Sequence, residues 1–285
     1  MLYRDHAEGE SLFAKVLNVY ATWEDAARAN INRIEFLGEK IRKTIAASSR
    51  ERVRIASVGC GPAREIAALL AARPELGQRL DVALIDQEER SITYCERTLA
   101  PFLATTGVRI EFIRESVRKL LTTRQLGEAL GSRELIYSAG LFDYLSDRTF
   151  SALLAALWGA LAPGGTLAVT VPRWLPERVC WALSDEYHAN EGGHIRIYKA
   201  DELRAKLEAA GLVFTHQHHA HALHSPFWWI KCAVGVQRDQ HPLVRGYHQL
   251  LVWDMMKAPA ATRIAEKALN PLIGKSVALY FTKPL

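Results

Sequence analysis

Val53-Arg54-Ile55-Ala56-Ser57-Val58-Gly59-Cys60-Gly61-Pro62-Ala63-Arg64-Glu65-Ile66 decides the fold. The β-branched apolar run predicts a buried strand, the glycines a tight turn, and the residues from Arg64 onward a helix start. Glycine at Gly59 and Gly61 lets backbone approach a ligand where a side chain would collide. About twenty-five residues after Gly61, Asp81-Val82-Ala83-Leu84-Ile85-Asp86 reads as a second strand ending in a carboxylate. A glycine turn after one strand and an acid closing the next is how a parallel sheet holds a nucleoside. Backbone surrounds one end and the carboxylate takes the ribose hydroxyls. The pattern predicts a site for an adenosine-containing small molecule.

Outward from this pair, strands are predicted over 53–58, 81–85, 108–113, 134–138 and 166–171, with helices over 64–72, 89–103 and 151–161. Such alternation means a parallel sheet covered on both faces. Upstream, Leu12, Phe13, Val16, Leu17 and Tyr20 recur at helical spacing, as do Ile31, Ile34, Leu37, Ile41 and Ile45. With no strand among them, residues 1–50 are expected to form a helical cap. After Val171, Pro172, Pro176 and Gly192-Gly193 punctuate a longer excursion. A helix over 199–210 follows, with Gly211 as its C-cap, then strands over 212–218 and 275–282. The expected architecture is α/β and Rossmann-like: a mostly parallel seven-stranded sheet with helices on both faces. Residues 51–285 make up the sheet domain, with inserts at about 172–198 and 222–272, the second before the last strand. The closing strands are expected to lie antiparallel, with a reversed strand at one side of the sheet.

At 285 residues, 49% hydrophobic and 24% charged, the chain can bury a large core. Its net charge of +5 permits anionic partners, but the basic residues are dispersed among acids. No nucleic-acid motif accompanies them, so a mildly basic solvated surface is the better reading. Cys60, Cys95, Cys180 and Cys232 form no C-x-x-C pair, which argues against a cysteine zinc site or disulfide framework and for a reducing cytoplasm. No apolar region follows Met1-Leu2-Tyr3-Arg4-Asp5-His6 as in a signal peptide, and no apolar run is long enough to span a bilayer. The expected location is cytoplasmic. The sequence specifies no oligomeric state.

The glycine turn, the acid ending the second strand and Leu161-Ala162-Pro163-Gly164-Gly165 before the fifth together resemble class I S-adenosylmethionine-dependent methyltransferases. The resemblance covers about 53–171 and the terminal strand pair. In that family the first strand ends in an acid, one residue, then G-x-G-x-G; here Ser57 stands at the acidic position and Ala63 at the third glycine. More narrowly, Gly59 to Glu65 with Tyr137-Ser138-Ala139-Gly140-Leu141-Phe142-Asp143-Tyr144-Leu145 resembles bacterial methyltransferases of 3-hydroxy fatty acid methyl ester synthesis. The resemblance implies S-adenosylmethionine as cofactor, S-adenosylhomocysteine as product and a small, hydrophobic or lipid-like acceptor. O-methylation of a carboxylate or hydroxyl is favoured over C- or N-methylation of an aromatic or isoprenoid metabolite.

Gly59, Cys60, Gly61 and Pro62 are then the cofactor loop, Asp86 the ribose acceptor with Gln87 beside the adenosine, and Glu115-Ser116 the adenine contact. Ser138, Ala139 and Gly140 would give backbone access to the cofactor, while Phe142 and Tyr144 wall the acceptor pocket. His194, Arg196 and Tyr198 alternate in an extended stretch and so share a face. His194 is a candidate base beside Tyr144, and Arg196 a holder of carboxylate or phosphate, with Tyr198 in the same substrate site. A solvated hydrogen-bonding face is the plainer reading of that trio. His216, His218, His219, His221 and His224 are dense, but strand alternation splits them and no cysteine or close acid joins them, so no metal is expected. Phe227-Trp228-Trp229-Ile230-Lys231, with Trp253 in the same insert, reads as acceptor lining through Trp228, as a peripheral membrane contact, or as lid packing.

Methyl transfer is an in-line displacement in which alignment contributes much of the rate. A carboxylate acceptor needs no base, whereas a hydroxyl or carbon acceptor benefits from one. Two rivals remain: a nicotinamide-dependent oxidoreductase, whose fingerprint wants glycine where Arg64 stands, and a catalytically inert cofactor-binding protein.

Overall fold

A computed structural model of the chain describes Ser11 and residues 25–122, 126–189, 197–257 and 259–285. Seven strands form one sheet: β1 Val53–Val58, β2 Leu80–Asp86, β3 Arg109–Arg114, β4 Arg133–Ala139, β5 Leu161–Pro172, β6 Val213–Ala220 and β7 Ser276–Thr282. Their order is β3-β2-β1-β4-β5-β7-β6, with β7 antiparallel to both neighbours and β1 to β5 parallel.

The central strands are buried on both faces because helices cover both. Val53 and Ile55 of β1, with Val82 and Leu84 of β2, meet Ile66 and Leu70 of the helix Arg64–Ala72, and Ile92 and Leu99 of Glu89–Thr105. Ile41 and Ile45 of the helix Asp25–Ala47 join that cluster. On the other face Ala56, Val58, Ile136, Leu167 and Val169 meet Phe150, Leu153 and Leu157 of Asp147–Ala160, and Leu203 and Leu207 of Ala200–Ala209. Each buried valine, leucine, isoleucine or phenylalanine side chain among them contributes about 1.5–3 kcal/mol relative to exposure.

Two expectations need correction. The reversed strand is not at the side of the sheet; β7 lies between β5 and β6. Val277 to Phe281 are all buried, as an interior strand requires, whereas the histidine-rich β6 is the edge and is half solvated. The helix predicted from 151 starts at Asp147, where the Ser146 hydroxyl accepts the Thr149 N–H at 3.3 Å. The expected helical residues 12–20 lie outside the described residues.

The step from β4 to β5 slips in register between Arg133↔Leu161 and Leu135↔Thr166. Gly165 sits in the slip, where a Cβ would come within 2.7 Å of the Ala162 carbonyl and 2.9 Å of the Arg133 carbonyl. The buried Arg133 guanidinium braces the place, donating to the Ile55 carbonyl at 3.3 Å and to Asp81 at 3.1 Å.

Between β6 and β7 the insert folds as helices His224–Val234, Pro242–Lys257 and Ala260–Ile273. Leu223, Phe227, Val244 and Leu251 give it a small core of its own. Among the described residues, no helix is long and apolar enough to cross a membrane.

Candidate functional site

The C-terminal ends of β1, β2 and β4 converge where neighbouring crossovers leave the sheet on opposite faces, the usual place for a crevice in a parallel α/β sheet. Gly59 and Cys60 both donate their N–H groups to the Ile85 carbonyl, at 2.9 and 3.0 Å, which folds the loop over the end of β2. Asp86 fastens it: one carboxylate oxygen accepts the Gly61 N–H at 2.7 Å and the other the Glu88 N–H at 2.9 Å. Gly59, Gly61 and Ala63 all have positive φ, at +69°, +54° and +43°. Ala63 thus carries a left-handed backbone that costs an L residue about 1–2 kcal/mol, and its methyl group is buried.

The turn leaves space above it. A Cβ at Gly61, or at Gly140 just past β4, would meet nothing within 4 Å. Beside this opening lies a pocket of about 160 Å³ lined by Ser57, Gly59, Gly61, Glu65, Tyr137 and Ala139. That is below the roughly 300 Å³ of a typical small-molecule site. It suits one end of a ligand whose remainder lies along the open edge past Asp86 and the exposed Gln87.

Glu65 and Tyr137 form a hydrogen-bonded pair inside this pocket, whose lining also includes Arg33 and Arg64. The Tyr137 hydroxyl donates to a Glu65 carboxylate oxygen at 2.7 Å, and both residues are buried. Burial pushes the Glu65 carboxyl up, partly offset by the Tyr137 hydrogen bond. Burial, then the Glu65 charge, also raises the Tyr137 hydroxyl. The pair did not emerge from sequence reading. Its available signal was an acid inside an apolar helix start, four residues after Gly61, in a loop whose usual acidic position holds serine.

Other candidates fall as follows. The Glu115 N–H donates to the Asp86 carbonyl at 3.0 Å, so Glu115 and Ser116 stand at the same edge. The Glu115 carboxylate holds Lys119 at 2.5 Å, which keeps its pKa low, and also accepts the Ser116 N–H. Ser138 is turned inward and donates to the Val58 carbonyl at 2.8 Å. Cys60 and Cys95 both direct their thiols at the Gly61 carbonyl, at 3.4 and 3.2 Å, a meeting across the fold that cysteine spacing did not reveal.

On the acceptor side the structure separates what the sequence grouped. Phe142 is fully buried against Phe150, ring centroids 5.4 Å apart, and Tyr198 packs on the other side of Phe150 at 5.7 Å. Both belong to the core rather than to a pocket wall, since apolar rings close to the sheet gain most by leaving water. Tyr144, in a 3-10 turn over Phe142–Tyr144, is 38% exposed, and burial with nearby Asp143 and Glu177 raises its hydroxyl. His194 and Arg196 lie outside the described residues.

The aromatic run of the insert is buried at Phe227 and half-buried from Trp228 to Lys231, while Trp253 of the same insert is exposed. Trp229 donates its indole N–H to the Pro176 carbonyl at 3.1 Å. Trp228 lies 5.6 Å from the Tyr187 ring and covers the Lys275 ammonium at 5.5 Å. That ammonium pairs with the fully buried Glu177, which also accepts the Tyr187 hydroxyl at 3.2 Å. Of the histidines, His216 and His218 share a face and stack on Tyr280 at 4.2 and 5.7 Å. His221 and His224 meet beyond the strand at 5.5 Å.

No family model matches the chain. Trans-aconitate 2-methyltransferase of Deinococcus radiodurans is 30% identical over 142 residues, covering 47% of this chain and 54% of that protein. The chain thus spans about half the length of the curated relative it matches. Magnesium protoporphyrin IX methyltransferase of Synechocystis PCC 6803, solved with bound S-adenosylhomocysteine, superposes with a TM-score of 0.56 at 11% identity, over 99% of this chain and 91% of that one. A geranyl diphosphate methyltransferase solved with sinefungin gives 0.51 at 11% identity, over 90% and 78%. With the strand order, the reversed seventh strand and the glycine turn, these likenesses show that the protein has the class I S-adenosylmethionine-dependent methyltransferase fold.

Proposed function

We propose that the protein transfers the methyl group of S-adenosylmethionine to a small, hydrophobic or lipid-like acceptor, with O-methylation of a carboxylate or hydroxyl as the reaction. The observation that carries this reading is the open backbone cradle at Gly61 and Gly140, beside a pocket holding one buried carboxylate. Bound there, the cofactor supplies an activated sulfonium methyl group. Gly59 to Pro62 would hold it through backbone, Asp86 through the ribose hydroxyls, and Gln87, Glu115 and Ser116 along the adenine. Glu65, oriented by Tyr137 and already under the attraction of Arg33 in the same pocket, would meet an ammonium group there, since a buried carboxylate gains from a cation.

In this reading the helices of the insert and the segment 174–188 would wall the acceptor, with Tyr144 and Trp228 among its contacts. His194 as base and Arg196 as carboxylate holder complete the proposal. The relative named for trans-aconitate supports an acceptor with a carboxylate, which reacts without a base.

Calorimetry with S-adenosylhomocysteine and with NAD tests the cofactor. The expected result is binding of the first alone, weakened at least about tenfold in Asp86→Ala through loss of charge-assisted hydrogen bonds. Binding of NAD instead would move the protein to hydride chemistry. Labelled donor offered with a lipid extract and a panel of carboxylates should give products heavier by roughly one CH₂. Binding without turnover on any acceptor would leave an inert cofactor-binding protein.

A further inference from the structure

The helix Asp25–Ala47 packs on the helix Arg64–Ala72 and on β4, and a groove of about 690 Å³ lies between it and the sheet face formed by β4, β5 and β7. Thr166, Ala168 and Thr170 of β5 form its floor with Tyr280 of β7, while Leu167, Val169 and Val171 between them face the core. Phe36, Lys40 and Thr44 form the helical wall. Along β4 the groove reaches from Glu134 to Ala139, a span of roughly 17 Å at about 3.3 Å per residue. At its upper end Leu37, Tyr137 and Ala139 line both this groove and the donor-side pocket, so the two adjoin.

The charges in the groove are unbalanced. The Lys40 ammonium sits 4.2 Å from the Tyr280 ring centroid and 5.4 Å from that of Phe36, with no carboxylate partner among the described residues. The neighbouring cations are served: Lys43 lies 3.5 Å from Glu39, and Arg50 lies 2.9 Å from Glu134. Burial, then Lys43, lowers the Lys40 pKa, as expected of an ammonium short of counter-charge. From Lys40 toward Ala139 the Phe36, Leu37, Ile41, Ala168 and Tyr280 side chains dominate the lining, interrupted by Ser138, Thr170 and the His216 imidazole. Toward Arg50 the walls turn polar with Ser48 and Ser49.

We propose that this groove binds an amphipathic anion, an acyl or aryl carboxylate whose head pairs with Lys40 and whose apolar body runs along Tyr280, Ala168 and Leu37 toward Ala139. A small inorganic anion would leave Leu37, Ala168 and the Tyr280 ring wet, and a neutral lipid would leave the Lys40 ammonium without a counter-charge. The site lies along the sheet face rather than over the strand ends. It stands whether or not the proposed methyl transfer does.

Calorimetric titration with decanoate, decanol and acetate tests it. Decanoate should bind at least about tenfold tighter than decanol, and acetate should not bind. Lys40→Met, which keeps the apolar stem, should weaken decanoate at least about tenfold, and Ala168→Leu, which fills the floor without touching charge, should weaken it as well. Equal affinity for decanol, or unchanged decanoate binding in both variants, would overturn the proposal. A diazirine-bearing decanoate photolysed on the unmodified protein answers the same question if a variant fails to fold. Label within 36–44 and 277–282 supports the groove, and label confined elsewhere overturns it. S-adenosylhomocysteine titrated in parallel keeps the two readings apart: decanoate binding without it would retain the groove and reject the proposed cofactor.

Discussion

A methyl group added at position 61 separates a strained turn from an occupied crevice. Gly61 has φ +54°, and Gly61→Ala forces an L residue into the left-handed region at about 1–2 kcal/mol. For a chain of this size each kcal/mol lowers Tm by roughly 2–4 °C, so a fall of about 2–8 °C is expected. The new Cβ meets nothing within 4 Å of protein, so no further strain arises in the free chain. If the cofactor lies against that backbone, the methyl group overpacks the complex by about 1–3 kcal/mol, a loss of roughly 5- to 150-fold in affinity. Gly107 is the control: it too is left-handed, at φ +70°, and its Cβ would only brush the Gln78 Cγ at 3.3 Å. Gly107→Ala should lower Tm similarly and leave S-adenosylhomocysteine affinity unchanged. Calorimetry and thermal melts read both quantities. If Gly61→Ala matched the parent affinity within about twofold while melting like Gly107→Ala, the space above the turn would not belong to the cofactor.

Glu65 makes a pH-dependent prediction. Burial raises its native pKa above the ordinary 4.5, so the folded state holds the proton more tightly than the unfolded one. Stability is therefore highest below pH 4.5 for this group and falls as pH rises through the raised native value; Glu65→Gln should abolish that decline. A cation entering the pocket should also expel the proton, visible as buffer-dependent heats of S-adenosylhomocysteine binding; identical heats in parent and variant would exclude Glu65 as the ammonium contact. Phe150 lies between Phe142 and Tyr198, and Phe150→Ala should cost about 3–5 kcal/mol in urea unfolding. A loss below about 1 kcal/mol would mean that those rings do not share a tight core.

Several elements were legible in the sequence. β1 spans the expected 53–58, and β2 and β4 extend the expected 81–85 and 134–138 by one or two residues. A run buried on both faces must be apolar throughout, which makes it conspicuous. Gly211, expected as a C-cap, has φ +90° and follows the helix Ala200–Ala209 closely. The acceptor side was less legible. Phe142 and Tyr198 are aromatic whether they line a pocket or fill a core, and local pattern does not distinguish these. The rank of β7 was readable in hindsight, since its five successive buried residues contrast with the polar β6.

By itself the sequence determined the strand–turn–helix units and the glycine crevice, because side-chain period and backbone freedom are local properties. Tertiary structure decided the meetings: Tyr137 on Glu65, Cys60 beside Cys95, and the Lys40 ammonium over Tyr280. Burial is non-directional, and closing a longer loop costs only logarithmically more, so residues far apart in the chain meet wherever packed layers bring them. No spacing along the chain records those encounters, and they set the buried carboxylate in the pocket and the Lys40 ammonium in the groove.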